Sequence, residues 1–160
     1  MRRAVAGAPL VVFAVASAVS CVDIDGGAVE VPWTVFARDG RGTINDCACA
    51  DPAIAFIQLK LGAPPETPAQ ADPCDGAIAC RFSCGRKTGA TPFIIPPGSY
   101  LMSIQPELAD GTPSLTAMVP DPILRQVMKG APTELDAFEI QAPCAPQCHG
   151  ADPTMPCAAN

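Results

Sequence analysis

Cysteine is the residue type with the most chemistry to offer in this 160-residue sequence, which has nine, at positions 21, 47, 49, 74, 80, 84, 144, 148 and 157. An odd count leaves one thiol over in an oxidising compartment. Setting Cys21 aside for separate chemistry leaves Cys47, Cys49, Cys74, Cys80, Cys84, Cys144, Cys148 and Cys157 to pair as disulfides, in more combinations than spacing can choose among. The only histidine, His149, closes the motif CAPQCHG. That motif is one residue too long for the haem attachment pattern C-x-x-C-H, and Met155, the nearest second axial ligand, sits in a stretch with no apolar pocket. Cys144, Cys148 and His149 are the alternative, a Zn or Cu site; disulfides are the default in an exported chain, and no cofactor is expected. Asp23 and Asp25 match only the start of a calcium loop, without its third acid or closing Glu. No G-x-S-x-G or phosphate-cradling glycine loop occurs, and the carboxylates are scattered over loops, so no catalytic residue is assigned and the chain reads as non-enzymatic.

The odd cysteine gains meaning from what precedes it. Arg2 and Arg3 form a positive n-region, Ala4 to Ala16 is an apolar run too short for a comfortable membrane span, and small residues follow before Cys21. That is the pattern of a secretory signal peptide over residues 1–20. An ordinary cut after Ser20 satisfies the small-residue rule. Ala18-Val19-Ser20-Cys21 also resembles a bacterial lipobox, with Ala18 where Leu is usual, and this resemblance implies cleavage before Cys21 and lipidation of that cysteine. The cysteine parity favours lipidation. Residues 21–27 then read as a lipidated tether, and Val22 in place of Asp implies sorting to the outer membrane, with the domain facing the periplasm or the exterior.

Sixteen acidic residues stand against ten basic ones. Without Arg2 and Arg3 the net charge becomes −8. A nucleic-acid partner would call for a clustered basic face, so none is expected. Nineteen prolines and thirteen glycines punctuate the chain too often for long helices, and 49% hydrophobic content with only 5% aromatics suits one core of Val, Ile, Leu and Met.

The elements that must position these cysteines read as short strands. The stretch Phe93–Leu108, FIIPPGSYLMSIQPEL, predicts a type II turn at Pro96-Pro97-Gly98, with a positive φ at the glycine, leading into a strand that turns Tyr100, Met102 and Ile104 inward. Val29, Val31, Trp33 and Val35 alternate in a first strand, with Trp33 in the core and Pro32 marking an edge. Ala53–Leu61 predicts a second strand with Ala55, Ile57, Leu59 and Leu61 inward and Gln58 and Lys60 outward. Residues 62–73 form a polar, proline-rich loop. Ile78–Cys84 predicts a third strand, and Leu115–Val119 another short one. Residues 121–130, DPILRQVMKG, carry a helix signature, with Asp121 as N-cap, Pro122 at the first position and Gly130 at the end; a strand leading through a turn into a last strand at Leu135–Gln141 is the competing reading. A tail, residues 142–160, rich in Pro and Cys, shows no periodicity.

The order VPWTVFARDGRG, a Cys ahead of AIAFIQLKL, FSC, IIPPGSYLMSI, ADG and GAPTELDAFEI resembles a group of bacterial lipoproteins with a transthyretin-like or carboxypeptidase-regulatory-like domain, over roughly Val29 to Ile140. The resemblance implies an all-β fold: a small antiparallel β-sandwich of about six or seven strands with Greek-key-like connections, over residues 28–141. It favours the strand at 121–130. It also implies that Cys49 pairs with Cys84, the two cysteines that match the family, leaving Cys47, Cys74, Cys80, Cys144, Cys148 and Cys157 to pair among themselves. Such domains serve binding, adhesion and spacer roles, so the expected function is a lipid-anchored, non-enzymatic binding, adhesion or envelope-assembly module, with a protein or glycan as the candidate partner. The rival expectation is a redox or metal-handling lipoprotein using the cysteine-rich tail.

Overall fold

The computed structural model describes residues 24–68, 70–149 and 157. The signal segment, Cys21 and Met155 lie outside the described residues. Eight strands run in the order β1 (Ala28–Ala37), β2 (Phe56–Gly62), β3 (Arg81–Ser83), β4 (Thr88–Ala90), β5 (Gly98–Glu107), β6 (Ile123–Val127), β7 (Pro132–Glu134) and β8 (Phe138–Ala142). They form two four-stranded sheets in an all-β sandwich. One sheet is antiparallel throughout, in the order β3-β2-β5-β6. In the other, β1 pairs antiparallel with β4 on one side and parallel with β7 and then β8 on the other, so this sheet is mixed.

Period-2 alternation builds the core between them. Val29, Val31, Trp33 and Val35 of β1 meet Ile57, Leu59 and Leu61 of β2 and Tyr100, Met102 and Ile104 of β5, all buried in one cluster. The Trp33 ring stacks on Phe82 at 6.3 Å between centroids, and its Nε1–H donates to the Cys84 carbonyl at 3.0 Å. The indole thus buries its apolar body and still satisfies its one donor.

Several sequence expectations change for local reasons. Pro32 lies in the central strand of its sheet and not at an edge. Val29 and Trp33 aim their N–H groups toward the β4 side, at the Thr91 hydroxyl and the Lys87 carbonyl. The nitrogen of Pro32 therefore faces the opposite side, where β7 pairing has stopped at Glu30 and β8 pairing begins at Trp33. No ladder donor is needed in that gap. Gly98 takes no left-handed φ; it is the first residue of β5, opposite Val127, while the Tyr100 hydroxyl donates to the Pro96 carbonyl at 2.9 Å and closes the preceding loop.

Gln58 is buried rather than outward, because the loop closed by the Cys74–Cys80 disulfide folds over the outer face of β2. Its amide donates to the Cys74 carbonyl at 2.7 Å. The expected third strand begins only at Arg81, since Ile78–Cys80 form a 3-10 turn. Leu115–Val119 forms no ladder beyond the single bridge Met118↔Gln141, and Leu115 is 95% exposed. Pro113 and Pro120 bracket that stretch and each removes a donor. Residues 123–127 are the strand β6, paired with β5 over five residues. The last strand, expected at Leu135–Gln141, begins only at Phe138 as β8, and the short strand β7 precedes it at Pro132–Glu134.

The disulfides correct the Cys49–Cys84 pairing. Cys84 bonds Cys47, Cys49 bonds Cys148, Cys74 bonds Cys80 and Cys144 bonds Cys157. Cys47 and Cys49 are the ends of one 3-10 turn, capped by Asp46, whose carboxylate accepts from the Ala48 amide at 3.0 Å. Three residues per turn rotate neighbouring side chains by about 120°, so two buried cysteines two apart cannot face the same partner. Cys47 faces Cys84 after β3, and Cys49 faces the tail, where Ala145 N–H donates to the Cys49 carbonyl at 2.7 Å.

Candidate functional site

All the cysteines predicted as disulfide partners are buried in bonds, so the alternative metal set of Cys144, Cys148 and His149 does not hold together. A disulfide sulfur carries no thiolate to give to a metal. The His149 Nε2 instead lies 3.1 Å from the Cys144 carbonyl, as part of the turn Pro146–Cys148 that closes the tail against the domain.

Among the described groups, three have displaced pKa values, and each has a structural cause. Burial lowers that of Lys87, with Asp46 partly opposing; its Nζ donates to the Ile44 carbonyl at 3.1 Å beside the Cys47 sulfur. Burial raises that of Tyr100, against a hydrogen bond with Gln70. The Asp110 carboxyl is held down by the backbone and hydroxyl of Thr112, which both donate to Oδ1 in the turn before Gly111. The three are far apart in the fold and make no acid-base pair. Each serves a loop.

Two surfaces bring chemically useful groups together. The first is a cleft of about 350 Å³ between β2 and the Cys74–Cys80 loop. There Arg81 Nε meets Glu107 Oε2 at 2.8 Å, its guanidinium lies 3.8 Å over the Phe56 ring, and Lys60 meets Asp75 at 3.1 Å. Each cation here has a carboxylate, while the Arg81 Nη2 is buried without a hydrogen-bond partner among the described residues. The Arg81–Glu107 pair braces the edge strand β3 against β5 across Phe56 of β2.

The second surface is the pole where β1, β5 and β8 end. β1 runs into the turn Arg38-Asp39-Gly40, with Gly40 at φ 82°, where a side chain would be strained. The turn is tied down at both sides: Arg38 N–H donates to the Ala142 carbonyl at 2.9 Å, and the Arg38 guanidinium donates to the Thr116 carbonyl. Thr116 in turn donates its hydroxyl to the Asp51 carbonyl at 2.9 Å. These bonds hold the 113–119 segment across the pole with Leu115, Met118 and Val119 facing solvent. Arg38 stands between two open clefts, one of about 420 Å³ with Phe36, Glu139 and Gln141, the other of about 370 Å³ with Pro143 and His149. A cation, a carboxylate, an amide and exposed apolar side chains thus share one surface whose backbone is tied down by hydrogen bonds.

The sequence pattern predicts a strand over Leu115–Val119, and the structure leaves Leu115, Met118 and Val119 exposed outside any ladder. The signal was present in the two prolines that bound this stretch, which leave apolar residues without a ladder to bury them.

No family model matches the chain, and no curated protein or solved structure shows a significant similarity to it.

Proposed function

We propose that this chain is a lipid-anchored, non-enzymatic envelope protein, held to the bacterial outer membrane through Cys21, whose sandwich carries a binding site for a protein or glycan ligand at the Arg38 pole. The observation that carries the reading is the cysteine ledger. All eight cysteines after Cys21 are consumed in four disulfides, so the odd one is the residue that follows the signal-like segment. Four disulfides fit an oxidising compartment outside the cytoplasm. The lipobox-like Ala18-Val19-Ser20-Cys21 supports the same reading; the resemblance to transthyretin-like lipoprotein domains supports it only through the order of strands and turns, because the alignment around FSC falls with the Cys49–Cys84 pairing. The pole lies at the far end of β1 from the point where the chain arrives from Cys21, so a bound partner would not compete with the membrane for space. A redox or metal-handling role would require Cys144 or Cys148 to be released as a thiol.

The test is Cys21→Ser in the full-length chain expressed in a diderm bacterium. The native chain is expected in the outer-membrane fraction, with an N-terminal peptide whose mass carries acyl chains, and the variant in the soluble fraction. Equal membrane association of the two proteins would refute the anchor. Free thiols in the purified protein, apart from any at position 21, would favour the redox reading instead.

A further inference from the structure

The end of the sandwich nearest Cys21 is built from three segments that meet edge to edge. Gly27 and Ile95 exchange backbone hydrogen bonds at 2.8 and 3.1 Å, Gly130 N–H donates to the Gly26 carbonyl at 2.9 Å, and Ala28 N–H donates to the Ala131 carbonyl at 3.2 Å. The contact is closer than side chains allow. A Cβ on Gly26 would lie 2.6 Å from the Phe93 carbonyl oxygen, and one on Gly27 would strike the Val127 side chain and the Met128 carbonyl. The pair Gly26-Gly27, which the sequence presents as the end of a lipidated tether over residues 21–27, is thus already part of the domain. One residue earlier, Lys129 meets Asp25 at 2.8 Å in an exposed ion pair.

The result is a cap with four partly exposed apolar side chains: Ile24 at 41%, Phe93 at 40%, Ile94 at 51% and Met128 at 58%. They come from three different segments, Phe93 and Ile94 being neighbours in one of them. Only two residues, Val22 and Asp23, separate the cap from Cys21. Fully extended, the chain from Cys21 to Ile24 spans at most about 10 Å.

We infer that this cap rests on the lipid surface, with Ile24, Phe93, Ile94 and Met128 inserted at the level of the headgroups, so that the sandwich stands upright on the membrane and points the Arg38 pole away from it. The inference rests on the lipid anchor at Cys21 proposed above. A tether this short leaves the cap no room to hang away from the bilayer. It also makes insertion an intramolecular event, for which a modest apolar surface is enough. An aromatic ring and unbranched Met are side chains that suit the headgroup boundary.

The test uses the full mature chain, lipidated in cells and reconstituted into phosphatidylethanolamine and phosphatidylglycerol vesicles whose acyl chains are brominated. Ile94→Trp and, independently, Met128→Trp report on the cap, and Leu115→Trp on the opposite pole; the native Trp33 is buried and supplies a constant background read from the unsubstituted protein. The cap indoles are expected to lose about half of their emission to the bromines, consistent with insertion 5–10 Å deep, and the indole at position 115 to lose none. Flotation of the same vesicles is scored in parallel. Protein that floats with its cap indoles unquenched overturns the docking and leaves the anchor standing. Protein that does not float overturns the anchor, and the docking with it. A concentration-dependent blue shift of the Ile94→Trp emission in the Cys21→Ser chain without lipid would assign the cap to a second copy of the protein and overturn the membrane contact.

Discussion

Cys47 and Cys49 stand two positions apart in one 3-10 turn and bond to different segments, Cys47 to Cys84 after β3 and Cys49 to Cys148 in the tail. Which of them meets Cys84 depends on the rotation of a single 3-10 turn, and composition and spacing contain no trace of it. The resemblance matched Cys49 to Cys84; the Asp46-capped turn instead aims Cys47 there and Cys49 toward Cys148. Cys74 and Cys80, six apart, pair with each other, and so do Cys144 and Cys157 within the tail. Removing both members of the first bond, Cys47→Ala with Cys84→Ala in a Cys21→Ser background, is expected to leave no free thiol in the denatured protein. Cys49→Ala with Cys84→Ala should leave two. The first variant opens a loop of 37 residues and is expected to lose about 4 kcal/mol in urea unfolding, mainly through the regained entropy of the unfolded chain. Thiol titration that gives the opposite assignment would restore the pairing implied by the resemblance.

At the scale of elements, the sequence is most legible where alternation and burial agree. The inward faces of β1 and β5 can be read directly from Val29, Val31, Trp33 and Val35 and from Tyr100, Met102 and Ile104. Legibility fails where a partner strand decides. The local pattern over 121–130 reads as a helix and only the resemblance favours a strand there; the strand is what forms, five residues of β6 pairing with β5 in a ladder that outweighs intrinsic propensity. Pro32 reads as an edge marker because the sequence does not reveal that β1 changes partner from β7 to β8 beside it. Element packing is also set by absent side chains. On β4, Gly89 lies against the Phe82 ring, where an added Cβ would collide with ring carbons, and Phe82 in turn stacks on Trp33. Gly89→Ala should therefore destabilise the domain by about 1–3 kcal/mol by pushing Phe82 into an already filled core. Gly85, with nothing near its missing Cβ, is the matched control, and Gly85→Ala should leave the unfolding midpoint almost unchanged. Equal midpoints for the two variants would mean that the β4 contact tolerates repacking.

The whole molecule is a sandwich with two unlike poles. β1 spans about 30 Å from Ala28 to Ala37, and its start and end define a cap at the chain entry and the Arg38 surface opposite. The Cys49–Cys148 bond, joining residues 99 apart, fastens the tail beside the Arg38 pole and holds its backbone in place. A rigid, partly apolar surface turned away from the proposed anchor is where a partner could reach the protein. The exposed Leu115 makes a sharp test because it contributes little to folding: substitution there should change stability by no more than about 0.5 kcal/mol. A photo-crosslinking phenylalanine analogue placed at position 115 in cells is expected to yield a discrete adduct with one protein or glycan, and the same analogue at position 94 to yield lipid adducts. Adding Arg38→Ala to the position-115 probe should abolish its adduct, since the guanidinium both holds Thr116 and faces the two clefts. If position 115 gives no adduct while a probe elsewhere on the exposed surface does, such as at the solvent-facing Ile78 beside the Arg81 cleft, the recognition face belongs there and the Arg38 pole is only a structural closure of the sandwich.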